Sequence, residues 1–192
     1  MTQSKSIKFT YSNDKENKIP VIETKHLKLR NFTIGDADEY YRYHCNKEVL
    51  KYYDWRPETL EDAKKDIELI IDDYKGLGFI RWAVTLKEND VIIGDCGYII
   101  QGLKGEISYI LSKEYWHKGL MTEAVNGLIA FGFNEINLLR IQALTDPLNE
   151  PSKRILYKLG FKEEGFLRKY SYNAITKEYN DAIMWSLLKD EI

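Results

Sequence analysis

Residues 106–145 read as strand, loop, helix, strand, and that order constrains the fold more than any other feature of the 192-residue chain. Glu106 to Leu111 (EISYIL) alternates, with Ile107, Tyr109 and Leu111 on one face. SKEYWHKGLMTEAV follows and opens a helix whose Ala124, Val125, Leu128 and Phe131 form an apolar stripe. Leu138 to Thr145 then returns as a strand. A β-α-β crossover of this kind places its two strands parallel.

The flanking segments predict antiparallel pairing instead. Phe79 to Leu86 and Val91 to Ile100 are apolar strands joined by the polar turn Lys87-Glu88-Asn89-Asp90, a hairpin signature. Phe166 to Tyr172 and Glu178 to Leu188 make a closing hairpin around Asn173-Ala174-Ile175-Thr176-Lys177. Before them, Val21 to Arg30 reads as one strand and Asp36 to His44 as a short helix. A second helix begins at the capping-box-like Thr59-Leu60-Glu61-Asp62, with Asp in place of the usual Glu or Gln. Its apolar face is Leu60, Ala63, Ile67, Ile70, Ile71 and Tyr74. Hairpins mixed with a crossover define an α/β (α+β) chain built on a mixed sheet. Residues 1–20 read as an N-terminal extension in which Ile7, Phe9 and Tyr11 alternate, enough for an added edge strand. Residues 21–192 read as a single domain, free of repeats and linkers.

Charge and cysteine content narrow the function classes. Twenty-eight basic residues against thirty acidic ones give a net charge of −2, whereas a protein held to nucleic acid by phosphate neutralisation carries a basic surplus. Cys45 and Cys96 are too far apart for a CxxC, so neither a zinc site nor a disulfide framework is expected. No apolar stretch has the length of a membrane span, and the polar N-terminus lacks a secretory core, so a cytoplasmic protein is expected. Aromatic residues reach 13 %, which suits a cleft for a partly polar ligand, although core packing uses most such rings.

Two segments carry chemistry. In the loop Trp116-His117-Lys118-Gly119, the glycine lets the backbone approach an anion, and the next helix begins with amides that lack intrahelical acceptors. An ordinary strand-loop-helix connection has the same outline. Further on, Asn149-Glu150-Pro151-Ser152 opens the helix KRILYKL, with Asn149 or Ser152 as its N-cap and Gly160 closing it. Lys153, Arg154 and Lys158 on that helix make a basic patch, either a solvated face or a seat for an anionic ligand.

In this order, YWHKGLMTEA and NEPSKRILYKLGFKEEG resemble the acetyl-CoA pyrophosphate loop and the second cofactor motif of the GCN5-related N-acetyltransferase (GNAT) superfamily. Within it the chain is most similar to bacterial ribosomal-protein serine/alanine N-acetyltransferases, through ETKHLKLRNFTIGDADEYYRY, WAVTLKENDVIIGDCGYI and YNDAIMWSLLKDEI as well. The resemblance covers roughly residues 22–192. It implies a twisted, mostly antiparallel sheet with helices on both faces and one splayed parallel pair. The implied activity is transfer of acetyl from acetyl-CoA to a primary amine, peptide or small molecule, by direct attack in a ternary complex that leaves coenzyme A. No metal, nucleic acid or membrane is implied, and a monomer or a homodimer fits. A non-catalytic acyl-CoA-binding or regulatory module is the competing reading, since the loop carries Trp116, His117 and Met121 where the superfamily has Gln or Arg and small residues.

Carried over by position, the resemblance assigns the cofactor to Tyr109, Ile110, Leu111, His117, Lys118, Gly119, Leu120, Met121, Thr122, Asn149 and Ser152. Glu106 is the chosen general base, directly or through water, and Ser152 the partner of the leaving thiolate. Some relatives use a Tyr four residues before the motif's Gly, but here that position is Leu156, and Tyr157 is turned about 100° away. Trp55, Tyr53 and Tyr172 are candidates for the acceptor cleft, with Asp181 or Glu178 to attract a cation. His26, His44 and Cys96 read as structural, and His117 as a backbone contributor.

Overall fold

The structure, a computed structural model, describes residues 7–11, 19–73 and 78–192. One sheet contains β1 (Lys8–Thr10), β2 (Val21–Glu23), β3 (Leu27–Arg30), β4 (Phe79–Leu86), β5 (Ile92–Gln101), β6 (Lys104–Leu111), β7 (Arg140–Thr145), β8 (Lys162–Asn173) and β9 (Glu178–Leu188). Their spatial order is β1-β2-β3-β4-β5-β6-β7-β9-β8. Among the described residues every junction is antiparallel except β6–β7. Among the described residues four α-helices complete the fold: α1 (Ala37–His44), α2 (Leu60–Asp73), α3 (Leu120–Ala130) and α4 (Glu150–Lys158).

Val21–Arg30 is a correction to the single strand expected there. It is a hairpin of β2 and β3, with the Thr24 hydroxyl accepting the Leu27 amide at 3.2 Å in the turn. The buried residues show why: Ile22 and Leu27/Leu29 fall on opposite parities, a phase break that one pleated strand cannot absorb. Phe9 of β1 pairs with Ile22 and packs on Phe131. The rest of the N-terminal extension at 1–6 and 12–18, and Tyr74, lie outside the described residues. At the start of α2, the Thr59 hydroxyl and Asp62 carboxylate exchange the bonds of a capping box at 2.8–3.1 Å.

The helices divide between the two faces of the sheet. Asp95 of β5 meets Tyr43 and His44 of α1, and α2 packs beside α1 on that face. Tyr98, on the opposite parity of β5, donates to the Leu128 carbonyl of α3 at 2.8 Å. α4 packs against the α3 face, where the Tyr157 ring meets Trp185 of β9. It ends with Phe161 N–H on the Leu156 carbonyl and Gly160 N–H on Tyr157, Gly160 holding φ +88°. Among the described residues no helix is long and apolar enough to cross a membrane.

The functional consequence lies at β6–β7. Parallel pairing runs through Lys104–Arg140, Gly105–Ile141 and Glu106–Gln142 only. Beyond that vertex β6 stays with β5 to Leu111, while β7 follows β9. A gap opens between two strands of one sheet.

Candidate active site

The backbone of β6 sets what the gap offers. A Cβ on Gly94 would meet the Ile110 carbonyl at 2.3 Å, so Ile110 turns its main chain to β5. Alternation then turns Tyr109 and Leu111 toward the gap. Their carbonyls are already satisfied, Tyr109 by the Tyr53 hydroxyl and Leu111 by Trp116 Nε1 at 2.8 Å. What remains along this edge is N–H donors.

After β6 the chain makes a 3₁₀ turn at Lys113–Tyr115 and enters the loop. His117 (φ 60°) and Gly119 (φ 76°) are both left-handed, which turns neighbouring N–H groups to one side as an anion-binding concavity. A Cβ on Gly119 would touch nothing within 4 Å, so glycine is needed there for its conformation and not for space. The first α3 bond is Glu123 N–H to Gly119 O, leaving the amides of Leu120, Met121 and Thr122 without helical acceptors at the positive end of the dipole.

Across the gap, Asn149 is the N-cap of α4, its side chain accepting the Ser152 amide at 3.2 Å. That leaves the Ser152 hydroxyl for Tyr109, whose phenol oxygen is 2.7 Å away. Burial pushes the Tyr109 phenol up to about 12, with the Ser152 bond opposing it, so the group is a neutral donor near pH 7.

Between these elements lies a cavity of about 670 Å³. All the residues expected to hold the cofactor line it except Lys118, whose ammonium sits 5.2 Å over the Tyr115 ring. The basic patch of α4 is divided. Arg154 and Lys158, one turn apart, line the cavity with no ion-pair partner among the described residues, while Lys153 binds the Pro147 carbonyl and Glu150. Sequence reasoning missed the roof, a 3₁₀ segment at Val49–Tyr52. It is tied down by Tyr52 hydroxyl to Leu148 carbonyl at 2.9 Å and by a Glu48–Lys113 ion pair at 2.5 Å. The Tyr52-Tyr53 doublet was its one signal, and Tyr53 does line the cavity.

Glu106 lies elsewhere. Three residues from Tyr109, it projects from the α1/α2 face at the vertex, where its Oε2 accepts Gln142 Nε2 at 2.7 Å. The far end of the gap is closed by Asn173 Nδ2 on the Tyr53 carbonyl (3.2 Å) and Ala174 N–H on Asp54 (2.9 Å). Trp55 and Tyr172 adjoin this clamp in sequence but are 42 % and 50 % exposed and line no part of the cavity. Tyr157 is outside it too, 60 % exposed against Trp185. Asp181 accepts the Lys169 amide at 2.7 Å, securing an irregularity in β8. Cys96 is fully buried, which pushes its thiol well above the usual range. His44 is held by Asp95 at 3.1 Å and His26 by Glu123 at 2.8 Å.

A nest of free amides with two uncommitted cations suits a diphosphate, and a donor-only strand edge leading to paired hydroxyls suits a thin amide-bearing thioester arm. This is the layout of an acyl-CoA-dependent transferase. Residues 26–162 match the description of the acetyltransferase (GNAT) domain. The chain is 37 % identical over 172 residues to the uncharacterized N-acetyltransferase p20 of Bacillus licheniformis, covering 88 % of this chain and 96 % of that one. It is 33 % identical over 166 residues to the spermidine N(1)-acetyltransferase of Escherichia coli K12 (86 % and 87 % covered). The crystal structure of the ribosomal-protein-S5-alanine acetyltransferase from Vibrio fischeri superposes with TM-score 0.77 at 30 % identity, over 88 % of this chain and 96 % of that one. The chain therefore belongs to the GNAT family, as its two motifs imply, and is an acetyl-CoA-dependent N-acetyltransferase.

Proposed function

We propose that this protein acetylates a primary amine, on a peptide or protein N-terminus or on a small molecule, by direct attack within a ternary complex. The reading rests on one observation above the others. Parallel pairing of β6 and β7 ends at Glu106–Gln142, so this carboxylate stands at the vertex of the gap whose β6 edge, Tyr109 to Leu111, lines the cavity suited to the donor.

Acetyl-CoA, when bound, supplies an acetyl thioester. The amides from His117 to Thr122, with Arg154 and Lys158 nearby, would hold its diphosphate. The N–H groups of Tyr109 and Leu111, with Asn149 opposite, would hold the arm along β6. Glu106, on the far side of the vertex, would take the proton of the incoming ammonium directly or through one water. Ser152 and Tyr109 would face the departing sulfur. A phenol at about 12 does not give its proton outright to a thiolate whose ordinary value is about 8.5. The two hydroxyls, one donating to the other, therefore stabilise the thiolate through the one proton they leave free, and the thiolate's own proton comes from solvent.

The test is coenzyme A release from acetyl-CoA with a panel of Ser- and Ala-led peptides and spermidine, beside calorimetry of acetyl-CoA alone. Turnover with one panel member is the expected result. Tight acetyl-CoA binding with no turnover on any acceptor would overturn the reading.

A further inference from the structure

Four adjacent strands carry a connected line of side chains across the α1/α2 face, ending on Glu106. On β8, Glu164 accepts both Arg140 guanidinium nitrogens, Nη1 at 2.8 Å and Nη2 at 2.5 Å, and the hydroxyl of Ser186 on β9 at 2.5 Å. On β7, Arg140 Nε donates to Gln142 Oε1 at 3.2 Å. Gln142 Nε2 then donates to Glu106 Oε2 at 2.7 Å.

The line has a fixed direction. Guanidinium N–H groups only donate, so the Gln142 oxygen must face Arg140 and its NH₂ must face Glu106. Gln142 is 7 % exposed, so water competes little for either end. Arg140 and Ser186 hold the Glu164 carboxyl at about 2, so the anchor stays ionised at every pH where an amine is acetylated.

We infer that Gln142, set by Arg140 and Glu164, is a positioning residue that fixes the Glu106 carboxylate at the vertex of the gap. The inference rests on the reading of Glu106 as base. It explains why an amide stands between Arg140 and Glu106. A guanidinium touching the carboxylate directly would favour its charged form and weaken it as a proton acceptor. The amide passes on the orientation and leaves the ion pair with Glu164.

Gln142→Leu, Arg140→Lys and Glu106→Gln, alone and combined, test this with the best acceptor of the panel. Gln142→Leu keeps the volume and removes the donor. Its kcat is expected to fall about tenfold with the KM for acetyl-CoA within twofold, since no donor-binding group is touched. Arg140→Lys keeps the charge facing Glu164 and loses Nε. A loss of about threefold is expected there, which carries the test should Gln142→Leu fold poorly. In the Glu106→Gln background Gln142→Leu should cost nothing further, because its effect passes through Glu106. A parental kcat in Gln142→Leu and Arg140→Lys, or the same loss from Gln142→Leu with and without Glu106, overturns the inference while leaving Glu106 as base. A parental kcat in Glu106→Gln removes the base itself, and the positioning role falls with it.

Discussion

The two faces of the sheet at the β6–β7 gap are built from different materials. On the α3/α4 face, the groups offered to a ligand are mostly main-chain N–H groups, at Tyr109, Leu111 and the start of α3, with two cations and two hydroxyls added. On the α1/α2 face, they are side chains only, Glu106 and the line of residues leading to it. A site made of backbone keeps its donors through side-chain exchange, so bulky residues such as Trp116, His117 and Met121 in the loop leave those donors in place. Trp116 is even put to use, anchoring the loop to the Leu111 carbonyl. A site made of side chains has no such reserve.

That contrast is broken or sharpened most strongly at Glu106. Glu106→Gln removes the proton acceptor at nearly constant shape, and kcat is expected to fall about 100- to 1000-fold, within the range for general bases. The KM for acetyl-CoA should stay within two- or threefold, because Glu106 does not line the cavity. An equal loss in both parameters would mean that the faces are not separate in function. Ser152→Ala and Tyr109→Phe come next, each breaking the bonded hydroxyl pair that faces the leaving sulfur. About tenfold in kcat is expected from each, or about 1.4 kcal/mol, the size of one bond to a charged group. Because the two hydroxyls share a bond of 2.7 Å, the double variant should lose less than the product of the singles.

The same difference in material decided what the amino-acid sequence could reveal. The donor face is local, with one strand-loop-helix segment and one helix N-terminus holding nearly all of it, so the residues themselves pointed to Gly119 and to a helix start at Asn149–Ser152, and the family resemblance supplied their expected cofactor roles. The fold was legible for a similar reason, since the apolar run before the Lys87–Asp90 turn and the second arm of the closing hairpin coincide with β4 and β9 end to end. Val21–Arg30 was misread because a three-residue turn leaves little mark beyond the change of parity after Ile22. The roof at Val49–Tyr52 left only the Tyr52-Tyr53 doublet as a signal, and the Glu164–Arg140–Gln142–Glu106 line was not legible at all. The members of that line come from separate strands, and only the register of β6, β7, β9 and β8 brings them together. Trp55 and Tyr172, expected for the acceptor and not for the donor, stand outside the donor cavity and are about half exposed.

Within the donor face, conformation should outweigh charge. Gly119→Val meets no clash but must hold φ 76°, which a β-branched residue does at about 1–2 kcal/mol. Acetyl-CoA affinity is expected to fall five- to tenfold in calorimetry, with kcat at saturation little changed. Arg154→Ala and Lys158→Ala should each weaken it about threefold, and less at high salt, since exposed charges are screened. A larger loss from the cations than from Gly119 would show that side chains, and not the backbone, govern this face as well.

The smallest effect is expected at His117, where the contrast is most exposed to failure. Imidazole is a common proton carrier in enzymes and this one lies on the donor loop, so a proton-transfer role is the natural objection. The ring is exposed, however, and Glu106 is on the other side of the sheet; the role the structure gives His117 is its left-handed backbone. Alanine would confuse the two roles by adding strain at φ 60°. Asparagine enters that region readily and cannot titrate, so His117→Asn separates them. Less than a twofold change in kcat and in acetyl-CoA KM is expected, with the pH profile unmoved. A tenfold fall in kcat, or loss of a limb near neutral pH, would put a side chain into the chemistry of the donor face and end the division between the two.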